Sequence, residues 1–466
     1  MDITNQTAGR GSGFSVVILP NGLRLVYEKP VSILPITSIH AFVHLGSVNE
    51  DEHTHGVSHI IEHMAFKGTP TLPKPYLIAK PFDDTGAYIN AYTDKQYTCY
   101  VVKCQNDYVR QSIQVLADML FHSIFQKTEY IKEYDVVIEE AKLSADDIYD
   151  TMYNTMDAAM YKGSSYENPI DHLLYHQKYR ISNETATQIY KSYYVPENMV
   201  ISIISTIPFS TILGFVKKSY FASVAAVAAA TAAATTQRRS PNLYLEPFRE
   251  TQYIIEKRRG YETVNVAVGF RVCNMFSPDK NRLNFVKYIL VGPVRSRFVR
   301  ILRDENGLTY KTSINIDYYE HAGDFTIYTQ VDSNKLVKNS TNRGKGLLPI
   351  LFRILHDIYQ NGITADEFKT AKGYLKGILA RNLEDNNTLA EHNGKSVLFY
   401  NENDVYSYSK KYEVCYKDIT REEINAVIRK YFIAENMCVY MNGEGLPSLN
   451  TIKRIVETAG FIPLNN

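Results

Sequence analysis

The amino-acid sequence predicts an α+β protein of two structurally similar α+β domains in tandem, each a mainly antiparallel sheet with helices packed on one side. Three observations carry this expectation. The chain has 466 residues, more than one compact core accommodates. In each half, strand patterns come first and helical patterns follow, the segregation typical of α+β folds. The end of the first half also recurs at the end of the second. "ISNETATQIYKSYYVPENMVIS" at 181–202 matches "ITREEINAVIRKYFIAENMCVY" at 419–440 with a constant offset of 238. Ile181 meets Ile419, Glu184 meets Glu422, Tyr193 meets Tyr431, and Glu197 meets Glu435. So long an offset marks two domains of one topology rather than a solenoid of short repeats.

The elements follow in chain order. "FSVVILPNGLRLVYEK" reads as strand, Asn21-Gly22 turn and strand. "ITSIHAFVHLGS" is a further strand, with Ile39, Ala41 and Val43 alternating against His40, Phe42 and His44. "AYINAYTDKQYTCYVVKC" reads as two strands around a short polar turn. Helical patterns run from about Asn106 to Gly163, with a break near Gln126-Lys127-Thr128. The first half closes with a helix running into a strand. Residues 222–241 change character to alanine-rich sequence without larger apolar residues, and we read 222–246 as a linker. It divides a first domain, residues 1–221, from a second, residues 247–466. The second half reopens with strands, "TQYIIEK" and "TVNVAVGFRV".

Composition excludes several classes. Formal net charge is +1, which gives no bulk attraction to nucleic acid or anionic membrane. No apolar run reaches the length of a membrane span. The five cysteines are scattered, with no CxxC pair, so neither a disulfide framework nor a zinc ribbon is expected. A reducing, intracellular compartment fits this usage, the cytoplasm ahead of an organelle. The polar N-terminus "MDITNQTAGRGSG" lacks the apolar core of a secretory signal.

Chemistry concentrates in "THGVSHIIEHMAFKGT" at 54–69. His59, Glu62 and His63 stand at i, i+3 and i+4, on one face of a helix. Two imidazoles one turn apart can bind one zinc ion, and the carboxylate between them can serve a water at that ion. The order HxxEH inverts the commoner HExxH. A catalytic zinc site takes three protein ligands and keeps one open position, so a third ligand is required. Taken alone, the stretch also fits a histidine-rich helix with a nearby acid, and His53 and His55 are bystanders. The helix "TEYIKEYDVVIEEAKLSADDIYD" offers Glu133 and Glu140, two turns apart on one face. Glu133 shares that face with Val136 and Val137, which suggests it turns inward. Glu139 points about 100° away from Glu140, toward solvent.

With these residues in place the chain resembles the pitrilysin/insulinase metallopeptidases, especially the short-chain branch that includes mitochondrial processing peptidase. The resemblance runs from about Ser15 to Phe461. In that family HxxEH precedes a glutamate ligand by about 76 residues, and 76 residues separate His63 from Glu140 here. It implies one zinc ion per chain on His59, His63 and Glu140, with Glu62 as general base and Glu133 supporting a ligand from behind. "GAYINAYTDKQYTCYVV" looks like the family's strand pair beside the zinc. By that match Asn90 and Ala91 bind an extended peptide by strand addition. Gln96 departs from the family, where an acid is usual. "SRFVRILRDENGLTY" resembles the segment carrying an Arg/Tyr substrate-contact pair, here Arg303 and Tyr310. In the short-chain branch that pair comes from a partner subunit. A homodimer is therefore expected, with a heterodimer as the alternative.

The implied function is a zinc-dependent endopeptidase acting on extended or unfolded peptides. Two other readings stand beside it: a non-catalytic scaffold or heterodimer subunit of the same fold, and a presequence-type processing peptidase. The last reads arginine near the cleavage site with two acids, ten and fourteen residues beyond the zinc glutamate. Here those positions hold Asp150 and Asn154, so one acid of the pair is missing. Asp146 and Asp147 are nearby candidates for that role, or simply a solvated turn.

Overall fold

A computed structural model describes residues 13–170, 180–224, 241–248, 250–260, 262–339, 344–401 and 404–461. Most of the alanine-rich linker, 225–240, lies outside the described residues. The chain divides into two compact units. The first comprises 1–151, 164–242 and 379–411, the second 152–163, 243–378 and 412–466.

The first unit is built on a six-stranded sheet. Its strands are β1 (Phe14–Ile18), β2 (Arg24–Glu28), β3 (Ile36–Val43), β4 (Tyr88–Thr93), β5 (Thr98–Gln105) and β6 (Met199–Ile204), in the order β1-β2-β6-β3-β5-β4. β2 and β6 run parallel and the other pairs antiparallel. The β1–β2 hairpin turns at Gly22, whose φ of +86° lies where a side chain would strain the backbone. One face of the sheet carries α1 (Val57–Met64), α2 (Pro75–Asp83), α3 (Val109–His122) and α4 (Lys127–Asp146). It also carries α6 (Asn183–Tyr193) and α7 (Phe209–Lys217), which follow α5 (Ile148–Met160). Ile39, Ala41, Ile60, Ile61, Leu116 and Ile201 are completely buried in the core between sheet and helices. Each buried isoleucine or leucine among them contributes roughly 2 kcal/mol of burial.

The second unit repeats the plan with β7 (Gln252–Lys257), β8 (Thr263–Arg271), β9 (Thr312–Tyr318), β10 (Gly323–Asp332) and β11 (Met437–Gly443), in the order β7-β11-β8-β10-β9. Its longer helices are α8 (Asp279–Leu290), a π-helix at Val299–Glu305, α9 (Leu347–Asn361), α10 (Ala365–Asn382), α12 (Arg421–Tyr431) and α13 (Leu449–Thr458). α11 (Asn386–Phe399) belongs to the first unit. Strand by strand, β7-β11-β8-β10-β9 reproduces β2-β6-β3-β5-β4, including one parallel pair, β7 with β11. The offset of 238 found between 181–202 and 419–440 extends further back. α4 starts at 127 and α10 at 365; α5 starts at 148 and α11 at 386.

Each unit also takes a helix from the other half of the chain. α11 lies on the second face of the first sheet, where Phe42, Cys99 and Val200 meet Val397 and Leu398. This explains one departure from the sequence pattern. The alternation in β3 marks two faces, but both are buried, with His40 at 3% and Phe42 at 0% exposure. Buried Glu28 accepts hydrogen bonds from Asn393 (2.8 Å) and Ser407 (2.5 Å), and Arg24 donates to the Val397 carbonyl. Reciprocally, most of α5 joins the second unit. There the Tyr161 hydroxyl donates to buried Asp324 at 2.7 Å.

Candidate metal centre

Residue pattern builds the site from α1 outward. Val57, Ile60, Ile61 and Met64 face the core, which leaves His59 and His63 on the helix side that meets α4. Gly56 starts α1 at φ +86°, and the carboxylate of Glu50 accepts from the backbone N–H of Gly56 (2.6 Å) and Ser58 (2.8 Å). An acid at a helix N-terminus satisfies N–H groups that otherwise lack partners. Burial pushes the Glu50 pKa up to about 7 against those two hydrogen bonds. The sequence reading missed Glu50, because nothing local shows that an acid six residues before Gly56 folds back onto it.

His59, His63 and Glu140 converge. One donor atom from each lies within 4.8 Å of the others, the geometry of a group able to hold a metal ion. His59 Nε2 and His63 Nε2 are 3.2 Å apart, and Glu140 Oε2 stands 3.6 and 3.3 Å from them. The donor set fits zinc, with two neutral imidazole nitrogens and one carboxylate oxygen on two elements. Glu133 strengthens the fit. Its carboxylate meets His63 Nδ1 at 3.1 Å, which directs Nε2 toward the other donors. Lys67 Nζ holds the same carboxylate at 2.8 Å, a partner the sequence reading did not include. Burial alone would raise the Glu133 pKa; hydrogen bonds from His63 and Lys67 outweigh it and hold the acid below its ordinary value. The α4 face divides as its spacing implies for Glu133 (7% exposed) and Val137 (0%), but Val136 is 41% exposed. Glu139 points outward and pairs with Lys142.

Glu62 lies beside this triad, 7% exposed, and accepts from Thr93 Oγ1 at 2.7 Å. Burial raises its pKa, countered in part by His59 and by the Thr93 hydrogen bond. Thr93 ends β4, which pairs only with β5 among the described residues, so its outer edge is open. Asn90 and Ala91 sit on that edge. The Ala91 N–H donates to the Asn90 side-chain oxygen (2.9 Å), and Asn90 Nδ2 donates to the Tyr88 hydroxyl (2.8 Å). A side chain thus occupies a backbone donor that an added strand would otherwise take, a common way to blunt an exposed edge.

The second unit carries Arg303 in the π-helix, a geometry frequent at functional sites. Gly307, at φ +57°, turns the chain so that Tyr310 returns to Arg303, with the guanidinium carbon 5.5 Å from the ring centroid. Tyr310 is 87% exposed and Arg303 about half exposed, so Tyr310 is not a strand core residue. Asp147 caps α5, accepting from Tyr149 N (2.7 Å) and Asp150 N (3.2 Å). Asp150 in turn accepts from Ser144. This fits the plain reading of an acidic turn.

Comparison with known proteins places the chain in a family. The family model described as Insulinase (Peptidase family M16) matches residues 34–172, and that described as Peptidase M16 inactive domain matches residues 180–375. The uncharacterized zinc protease YmxG of Bacillus subtilis is 30% identical over 381 residues, 81% of this chain and 86% of that protein. An uncharacterized zinc protease of Mycobacterium leprae is 24% identical over 447 residues, 94% of this chain and 95% of its own. The chain belongs to the insulinase peptidase family, M16. Among solved structures, a protease from Helicobacter pylori matches with a TM-score of 0.81 at 18% identity, covering 92% of this chain and 99% of its own. The periplasmic protease PqqL of Escherichia coli matches with a TM-score of 0.76 at 17% identity, covering 99% of this chain and 51% of its own. At such identities these two bear on the fold alone. No helix among the described residues is long and apolar enough to cross a membrane.

Proposed function

We propose that this chain is a zinc-dependent endopeptidase that hydrolyses extended or unfolded peptides. One observation carries the reading: three metal-ligating groups, His59, His63 and Glu140, converge beside the buried carboxylate of Glu62 and close to the open edge of β4. The names of the relatives, zinc proteases, support the same assignment.

Zinc held by His59, His63 and Glu140 would supply Lewis acidity, lowering the pKa of water and polarising the scissile carbonyl. The peptide adds to β4 as a strand, displacing the Asn90 side chain from the Ala91 N–H and gaining main-chain hydrogen bonds there. Glu62 takes a proton from the attacking water and passes it to the leaving amine. Thr93 holds Glu62 in place through the 2.7 Å hydrogen bond. Glu133 and Lys67 fix the His63 ring in the tautomer that leaves Nε2 available. Arg303 and Tyr310 donate hydrogen bonds to peptide carbonyls or to the developing oxyanion. In this reading they reach the peptide from the second chain of a homodimer.

The deciding experiment is digestion of a peptide library by the purified chain, with and without chelator. Cleavage that stops with chelator and returns with zinc supports the reading. The absence of cleavage from fully zinc-loaded protein favours a scaffold role and overturns it.

A further inference from the structure

We propose that the second unit contains a binding site for a small organic anion, remote in sequence from the metal ligands and independent of the peptidase reading. The site is a cavity of about 600 Å³ lined by Pro293, Ser296 and neighbouring residues of the 288–301 segment, by α9, and by the first turns of α10. A volume of this size suits a small-molecule ligand.

Four arginines line it, and they are not equivalent. Arg297, 6% exposed, is neutralised: its guanidinium forks onto Glu367 at 2.7 and 2.6 Å and reaches Asp357 at 2.8 Å. It builds the floor. Arg295 donates to Thr370 at 3.0 Å and stands 3.8 Å from Asp366, with both ends well exposed, so that ion pair is worth little. Arg300 reaches across to Glu305. Arg353 has neither a hydrogen bond nor an ion pair among the described residues, although it lines the same cavity. Four arginines against Asp357, Asp366 and Glu367 leave the lining one positive charge in excess.

A second observation points to a ligand. Ser296 is 5% exposed, and its Oγ has no hydrogen-bond partner among the described residues. A buried hydroxyl left unsatisfied costs about 1–3 kcal/mol, and an acceptor on a bound molecule would remove that cost. The rest of the wall includes Ile289 and Ile354, both buried aliphatic residues. A free guanidinium, an unsatisfied hydroxyl and an apolar wall together select a phosphate or carboxylate head on a compact apolar body. Arg300 and Ile301 lie in the π-helix that also carries Arg303, so an occupant would brace that segment.

The test is calorimetric titration of the full-length, zinc-loaded chain with phenyl phosphate, benzoate and inorganic phosphate. Phenyl phosphate should bind at one site per chain, and about tenfold more tightly than inorganic phosphate, because only it can use the apolar wall. Benzoate tests whether a carboxylate head serves as well. Arg353→Ala should weaken binding at least tenfold with an unchanged melting temperature, and Arg353→Lys should restore part of it. Ser296→Ala should weaken it by a smaller factor. The proposal fails if phenyl phosphate gives no saturable binding at millimolar concentration. It fails equally if Arg353→Ala binds as the parent does. Because the readout is binding rather than cleavage, an inactive peptidase would leave the result unaffected.

Discussion

The two units share a plan, and the differences between them show how little sequence the chemistry requires. In the first, α4 presents Glu133 and Glu140 to α1. Shifted by the repeat offset of 238, the same positions in α10 are Ala371 and Ile378. The helix placed like α1 between β8 and β9 is α8, and its sequence DKNRLNFVKYIL contains no histidine. The family model matching this half is described as an inactive domain, in keeping with that loss. The packing is also mirrored. In the first unit Phe42 of β3 presses on Gly394 of α11, where any Cβ would overlap the ring. In the second the sizes are exchanged: Gly269 of β8 receives Met156 of α5. Gly394 and Met156 are one repeat apart, and Phe42 and Gly269 pair with Val200 and Cys438, also one repeat apart. In both units a small residue on one partner lets helix and sheet approach closely at this contact.

The largest expected effect falls on the difference in chemistry. Glu62→Gln should retain zinc and lose about a thousandfold in cleavage rate, the middle of the range for removing a general base. Parental turnover by purified Glu62→Gln protein would sink the mechanism. The converse change, Ile378→Glu, should leave metal analysis at one zinc per chain, since α8 offers no imidazole to complete a second site.

Buried titratable groups separate the units next. Burial lowers the pKa of His40 to about 4, opposed by Glu391, by a hydrogen bond with Asn387 and by Asp385, while Lys395 adds to the lowering. The unfolded chain takes up this proton near pH 6.5, the folded chain only near pH 4. The stabilisation is therefore complete above pH 6.5 and is lost as pH falls from 6.5 to 4, by about 3 kcal/mol in all. Asp324 in the second unit is held protonated well above its ordinary range by burial and by nearby Asp317 and Asp157. Its contribution is complete below pH 3.8 and declines as pH rises toward the folded value, the opposite slope. Hydrogen exchange resolved by unit should show the first unit loosening on acidification. His40→Gln should flatten that response, and an equal response in the variant would rule out His40 as its source.

A smaller effect is expected at Glu133. Glu133→Gln should weaken zinc binding roughly 10–100-fold by releasing the His63 tautomer. Competition with a chelator measures this directly, and undiminished affinity would reduce Glu133 to a partner of Lys67. The packing exchange gives the smallest pair. Gly394→Ala should cost about 2 kcal/mol, because the Phe42 ring is fixed within the sheet core. Gly269→Ala should cost about half as much, since it meets first the flexible end of Met156, 2.6 Å from an added Cβ. Urea denaturation of both variants reads the difference, and a reversed order would contradict the account of the contact.

Much of this was legible in the sequence. The strand order could not be read from it, but the paired strands, the helices that follow and the 238-residue repeat could, because hydrophobic periodicity and turn residues act locally. The HxxEH spacing placed His59, Glu62 and His63 on one face, since helix geometry fixes it. Glu140 depended on a family resemblance, because 76 intervening residues carry no local rule about where α4 lies.

Tertiary structure alone decided which groups those local elements would meet. It brought Glu50 to the start of α1, Lys67 to Glu133, the Asn90 side chain to the Ala91 N–H, and Tyr310 out into solvent. It also placed α11 on the second face of the first sheet, which buries His40 and Phe42. Periodicity specifies which side of an element is apolar. Only the closed fold specifies what covers that side, because burial is a property of the partners and not of the segment itself.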